Sequence, residues 1–261
     1  MMTRFSLAAL VTLAATLAAM AQPAAPAATT DTPQYYEVRI YHTQSAAQQQ
    51  RINDYWQTAA GPAYHRLGVQ PVGVFTELTD SATNSIYVLI PFDSLATFGA
   101  IPAKLAADPA YAAAAADFLG ATKANPAYER VESSLLVAFN GMKHLVVPPP
   151  EKKPNVFELR TYLSPGEGGG LNKINMFEHG EIALMKEIGL APVFYGRKLI
   201  GSNLPCLMYM TCGVNLEEHN RHWQTFSAAP VWKKLTGDPQ YKDNVSAIIK
   251  VLLKRTSASQ I

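Results

Sequence analysis

The chain has 261 residues, 48% of them apolar and 16% charged, with a formal charge of +2. This is the make-up of a globular protein, long enough for one large domain or two ordinary ones, and neither disordered nor fibrous. No run of Lys and Arg exceeds two residues, which excludes the basic patch of a nucleic-acid binder and the polybasic segment of a membrane-surface protein.

A signal peptide is expected over 1–21. Arg4 supplies a positive start, Phe5 to Met20 carries no charge, and Ala19-Met20-Ala21 fits the small-x-small cleavage pattern. The apolar run falls short of the ~20 residues of a spanning helix. The expectation is therefore export to the periplasm or beyond, with no membrane span once the signal is removed. Residues 22–33 are a Pro/Ala/Thr tether.

From residue 34 the hydrophobic pattern reads β-α-β-β-α-β, with strands or helices at 34–42, 46–67, 70–78, 84–91, 93–120 and 131–140. A Pro-rich linker follows at 146–155. The same order then returns. Residues 156–163 alternate as a strand, and Gly166-Glu167-Gly168-Gly169-Gly170 reads as a flexible connection. Residues 171–188 are helical and stop at Gly189. Strands at 191–199 and 205–212 are joined by Gly201-Ser202-Asn203, a helix covers 215–234, and a strand closes at 243–253. Cys206 and Cys212, on one strand, lie too far apart for a disulfide.

The second pass is a copy of the first. Tyr36-Glu37-Val38-Arg39-Ile40-Tyr41 reappears 121 residues on as Phe157-Glu158-Leu159-Arg160-Thr161-Tyr162. Gly68-Val69-Gln70-Pro71-Val72 reappears at the same offset as Gly189-Leu190-Ala191-Pro192-Val193. Such spacing marks a tandem duplication, with repeats at 34–145 and 156–261. The fold class is α+β: two ferredoxin-like βαββαβ units. Tyr41, Tyr195, Met208 and Met210 are candidates for the sheet face away from the helices. Two copies in one chain can each cover that face of the other, as an intramolecular α/β barrel.

The opening strands, the helix closing at a Gly before an aromatic strand (Gly189 to Gly196), and the steps Asp108-Pro109-Ala110-Tyr111 and Ala229-Pro230-Val231-Trp232 resemble the NIPSNAP family of the dimeric α/β-barrel superfamily. The resemblance is closer in the second copy. It implies the barrel fold and a pocket between sheet and helices. The superfamily also holds cofactor-independent monooxygenases, haem-degrading enzymes and isomerases. It fixes no activity, since one fold hosts many chemistries.

Residues shared by both copies, Glu-x-Arg-x-Tyr above all, read as scaffold. Those unique to the second copy mark the place where function is expected. Glu181 falls among Phe177, Leu184 and Ile188 on an apolar helical face, where Ala60 stands in the first copy. A carboxylate there needs a partner or a proton, and Arg160, Arg197 or Lys198 could supply the cation. Glu181 and His219 are the catalytic candidates. Tyr162, Arg160, Tyr195, Arg197 and His179 are the candidate ligand contacts. No motif implies a metal or cofactor. The functional expectation is a small-molecule binder, or cofactor-independent enzyme, with its pocket in the second copy. The alternative is a non-catalytic interaction protein of the cell envelope. As a pseudo-dimer the chain is expected as a monomer or a higher homo-oligomer.

Overall fold

The computed structural model describes residues 31–152 and 154–261. The expected signal peptide and most of the tether lie outside them. Each repeat contributes four strands: β1 (Tyr35–His42), β2 (Gly73–Glu77), β3 (Ile86–Phe92) and β4 (Arg130–Ala138), then β5 (Val156–Leu163), β6 (Ala191–Ile200), β7 (Cys206–Gly213) and β8 (Ala247–Arg255). They close into one antiparallel barrel in the order β1-β3-β2-β8-β5-β7-β6-β4. Within each repeat the order is that of a ferredoxin-like sheet. Two seams join the repeats: β2 meets β8 through Thr76 and Lys254, and β4 meets β6 through Val137 and Arg197.

Alternation along the strands sorts side chains into three cores. Tyr36, Phe75, Phe157, Leu159, Phe194, Met208 and Met210 fill the barrel interior. Tyr41, Ile52, Trp56 and Tyr64 belong to the layer between the first sheet and its helices. Tyr162, Phe177, Tyr195 and Tyr209 form the matching layer of the second repeat. Tyr41 and Tyr195 thus face helices, not the barrel interior. In β6 the register shifts between Pro192 and Phe194, and Val193 and Phe194 both join the interior cluster. Such a bulge reverses the side to which the next residue points. Cys206 and Cys212 are free and buried.

The first helix of each repeat carries a π turn at the same place. In the first repeat, α1 (46–66) runs through Ala46–Tyr55, a π turn at Trp56–Ala60 and Gly61–Arg66. After it comes α2 (Leu95–Ala106). In the second repeat, α3 (167–187) runs through Glu167–Met176, a π turn at Phe177–Glu181 and Ile182–Glu187. The glycine-rich connection is therefore the first turn of α3, where Glu167 meets the positive end of the helix dipole. The π turn brings Gly180 against Leu235, with only 2.8 Å from an added Cβ to its side chain. The helix expected over 215–234 is two, α4 (Leu216–Ala228) and Pro230–Gly237, because Pro230 has no N–H to continue the ladder.

Candidate active site between β5 and α4

On β5, Glu158, Arg160 and Tyr162 point away from the barrel interior toward the helices. On α4, capped by Asn215, His219 and Trp223 lie one turn apart on the face that meets them. Glu158 is the hub. Its Oε1 accepts from Arg160 Nε at 2.8 Å, while Oε2 accepts from Trp223 Nε1 at 2.6 Å and faces His219 Nε2 at 2.8 Å. A ring nitrogen this close to a carboxylate oxygen carries the proton. Burial pushes the Glu158 carboxyl up, but the His219 hydrogen bond and the Arg160 charge outweigh it and hold the group below its ordinary range. The Arg160 guanidinium lies 3.4 Å from the centre of the Trp223 ring, a stacked cation–π contact. Its Nη1 donates to Tyr162 at 3.3 Å, and Tyr162 and Tyr209 share a hydrogen bond of 2.8 Å. Burial raises both phenols, so both stay protonated at neutral pH.

The first repeat shows what is special here. Arg39 binds Glu37 through two bonds, Nε to Oε1 at 2.7 Å and Nη2 to Oε2 at 3.0 Å, and Nη2 also donates to Tyr64. That fork closes on itself. In the second repeat Oε2 of Glu158 is taken by Trp223 and His219, so Arg160 is held by one bond to its carboxylate. Its Nη2 makes no hydrogen bond within the described residues. At the positions of His219 and Trp223 the first repeat has Phe98 and Pro102.

A cleft of about 660 Å³ opens on the cluster and is lined by Glu158, Arg160 and Trp223. Asn220 and the stretch Lys250 to Leu252 complete its second-repeat side, while Glu77, Leu78, Thr79 and Tyr87 come from the first repeat. The cleft is thus shared between repeats, whereas the sequence places the pocket in the second alone.

Glu181 is buried, 1% exposed, and does not line that cleft. Its cation is Lys173, not Arg160, Arg197 or Lys198. The two pair in a nest of aromatic rings, with the ammonium 4.8 Å from the Phe177 ring centre and 5.3 Å from that of Trp232. Burial still pushes the Glu181 carboxyl above its ordinary range, against the pull of Lys173. A regular wheel sets residues eight apart about 80° from each other, which hides the pair. The π turn absorbs one residue, so the two lie nearly two full turns apart on one face. The first repeat has Ile52 and Ala60 there, both fully buried.

The remaining candidates scatter. Tyr195 is buried and donates to Met185 Sδ at 3.2 Å. Arg197 is exposed on β6, and His179 is exposed with its ring at 2.9 Å from the Asn175 carbonyl. The structure gathers Arg160, Tyr162 and His219 in one cluster, of which only Arg160 lines the cleft, and leaves Glu181, Tyr195, Arg197 and His179 outside the cleft. Sequence reasoning missed Trp223 and also Glu158, which it read as scaffold. The signal was a Trp one turn from a His on a face that meets the Glu-x-Arg strand. No group of three His, Cys, Asp or Glu side chains able to hold a metal occurs among the described residues. No helix among them is long and apolar enough to cross a membrane.

Eight strands from two ferredoxin-like units, closed with helices outside, define an α/β barrel of the dimeric type built within one chain. Two solved structures align over most of the chain. One is a Fusobacterium nucleatum protein provisionally named a monooxygenase, 11% identical, with a TM-score of 0.55 over 86% of this chain and 93% of that one. The other, from Lactobacillus acidophilus and named in the same way, is 10% identical, with a TM-score of 0.56 over 85% and 94%. A NIPSNAP-like domain protein from Burkholderia xenovorans is 19% identical and covers 42% of this chain and 91% of its own, with a TM-score of 0.38. Curated proteins give no match. The NIPSNAP family model matches residues 36–140, which is the first repeat's similarity to that family. The match falls on the first repeat, whereas the short motifs favour the second.

Proposed function

We propose that the protein binds a small organic molecule in the cleft between β8 and α4. Arg160 stacked on Trp223 is the recognition platform, and Glu158 with His219 is the polar anchor beneath it. One observation carries this reading: Trp223 and His219 occupy the second oxygen of Glu158, which leaves the Nη2 of Arg160 unbonded at the cleft that the residue lines. A donor facing a cleft without a protein partner is open to a ligand acceptor. Glu158 is held ionised and weakly basic, which suits binding and orientation better than proton abstraction at neutral pH.

The test is ligand-observed NMR with a fragment library. Hits that lose binding in Arg160→Met and Trp223→Ala, yet keep it in Arg39→Met, support the reading. A library that gives no hit, or hits indifferent to Arg160, ends it. A second, enzymatic reading is cofactor-independent oxygenation, after the names carried by two proteins of the same fold. The hydrogen-bonded Glu158–His219 pair beside the cleft favours it as a polar group that orients such a substrate. Oxygen uptake in the presence of the hits tests it. The reading includes export, on the strength of Arg4, the uncharged run to Met20 and Ala19-Met20-Ala21. N-terminal sequencing of protein recovered from cells should give Gln22 as the first residue.

A further inference from the structure

Away from the Glu158 cleft, a recess of about 540 Å³ lies between the inter-repeat linker and the second repeat, within the ~300–1,000 Å³ usual for ligand pockets. Val146, Pro148 and Pro149 form its linker wall. Ala191, Pro192 and Cys212 form the strand wall, and Val214 stands at its edge. Val146 and Val214 remain 47% and 41% exposed. Together with the apolar walls they form one contiguous aliphatic surface rimmed by polar residues, the arrangement of a ligand-binding groove.

The charged groups stand around this apolar lining. Lys152 and Lys186 line the recess, and neither side chain has a hydrogen bond or ion pair among the described residues. The one lining carboxylate, Glu218, is 4.0 Å from Arg221 and from His222. The His222 ring lies against Gly189, 3.0 Å from where a Cβ would sit, and its Nδ1 is buried without a partner. The backbone around the recess is already engaged: Val146 N–H donates to the Val193 carbonyl and Asn155 N–H to that of Gly213. An extended peptide would find few partners there. Apolar walls with unpaired ammonium groups around them fit a hydrocarbon chain ending in a negative charge.

We infer that this recess binds a single-chain amphiphile with an anionic head, its chain along Ala191 and Cys212 and its head between Lys152 and Lys186. This is independent of the reading of the Glu158 cleft, and Arg160→Met leaves it intact.

Calorimetric titration of the whole protein with dodecanoate, dodecan-1-ol and dodecyltrimethylammonium, each below its micelle concentration, tests it. Dodecanoate is expected to bind one to one. Decanoate should bind less tightly, by up to roughly fourfold for each methylene removed. The double variant Lys152→Gln/Lys186→Gln should weaken dodecanoate about tenfold and leave dodecanol unchanged. Ala191→Trp should abolish binding of both. Val214→Trp, at an exposed position, serves the same purpose if the first variant does not fold, with near-UV circular dichroism as the check. The inference is overturned if the cationic amphiphile binds as tightly as dodecanoate or if the lysine variant binds dodecanoate unchanged. It is equally overturned if a folded tryptophan variant keeps full affinity, or if binding is seen only to anionic vesicles.

Discussion

Lys173 and Glu181 form a buried ion pair in the second repeat at the two positions where the first repeat has Ile52 and Ala60. The corresponding helix, interrupted at the same place in both repeats and kinked at His179 and Gly180 in the second, tolerates an apolar pair and an ionic one. Burying two charges is unfavourable until they meet, so such a pair is a poor source of stability and a severe loss when broken.

Glu181→Leu alone is expected to destabilise the protein by about 3–5 kcal/mol, because it strands the Lys173 ammonium. Lys173→Met with Glu181→Leu should return stability to within about 1 kcal/mol of wild type or exceed it. Urea unfolding of wild type, the single variant and the double variant gives the comparison. A double variant as unstable as the single would show that the charges are needed for more than each other.

The Glu158 carboxyl is held below the ordinary carboxylate value, so its contribution to stability has a definite sign with pH. It is present above the unfolded value near 4.5 and is lost as pH falls below that toward the folded value. Wild type should therefore lose stability on acidification in that window more steeply than Glu158→Gln. Melting temperatures at a series of pH values give the comparison, and parallel curves would remove Glu158 as the titrating group.

Trp223 does two things: it donates to Glu158 and it carries the Arg160 stack. Trp223→Phe keeps a ring under the guanidinium and loses the N–H, so a loss of about 1–3 kcal/mol is expected from the charged hydrogen bond. Trp223→Leu should lose more, by the further cation–π contribution of about 0.5–2 kcal/mol. Equal losses in the two variants would place the whole effect in the hydrogen bond.

Gly68 and Gly189 end the first helix of their repeats with positive φ, +76° and +87°. An added Cβ at Gly68 meets nothing within 4 Å, whereas at Gly189 it meets the His222 ring at 3.0 Å. Gly68→Ala should therefore show backbone strain alone, about 1–2 kcal/mol. Gly189→Ala should be worse, and His222→Ala in the same protein should recover the difference. Thermal unfolding of these three variants and wild type measures this, and equal effects at the two glycines would contradict the crowding at Gly189.

Much of the fold is legible in the chain because duplication writes each pattern twice. The offset of 121 residues aligns Glu37 with Glu158 and Gly68 with Gly189. It also aligns the two π turns, which no wheel of 3.6 residues reveals. A regular wheel for that helix separates Lys173 from Glu181. Unbroken periodicity over 215–234 hides the stop at Pro230, and straight alternation through β6 sends Tyr195 to the wrong side.

For the candidate site, comparing the copies led to His219, while setting shared residues aside as scaffold removed Glu158 from consideration and left Arg160 as one candidate ligand contact among five. The same Glu-x-Arg pair is a closed fork in one repeat and an open one in the other. The amino-acid order determined the α+β class, the repeat and the strand on which Glu158, Arg160 and Tyr162 stand together, because these follow from local periodicity. Whether that strand carries scaffold or a binding surface was decided only by tertiary structure. The deciding contacts come from His219 and Trp223, some sixty residues away on another helix, and no local pattern encodes which oxygen of Glu158 they reach.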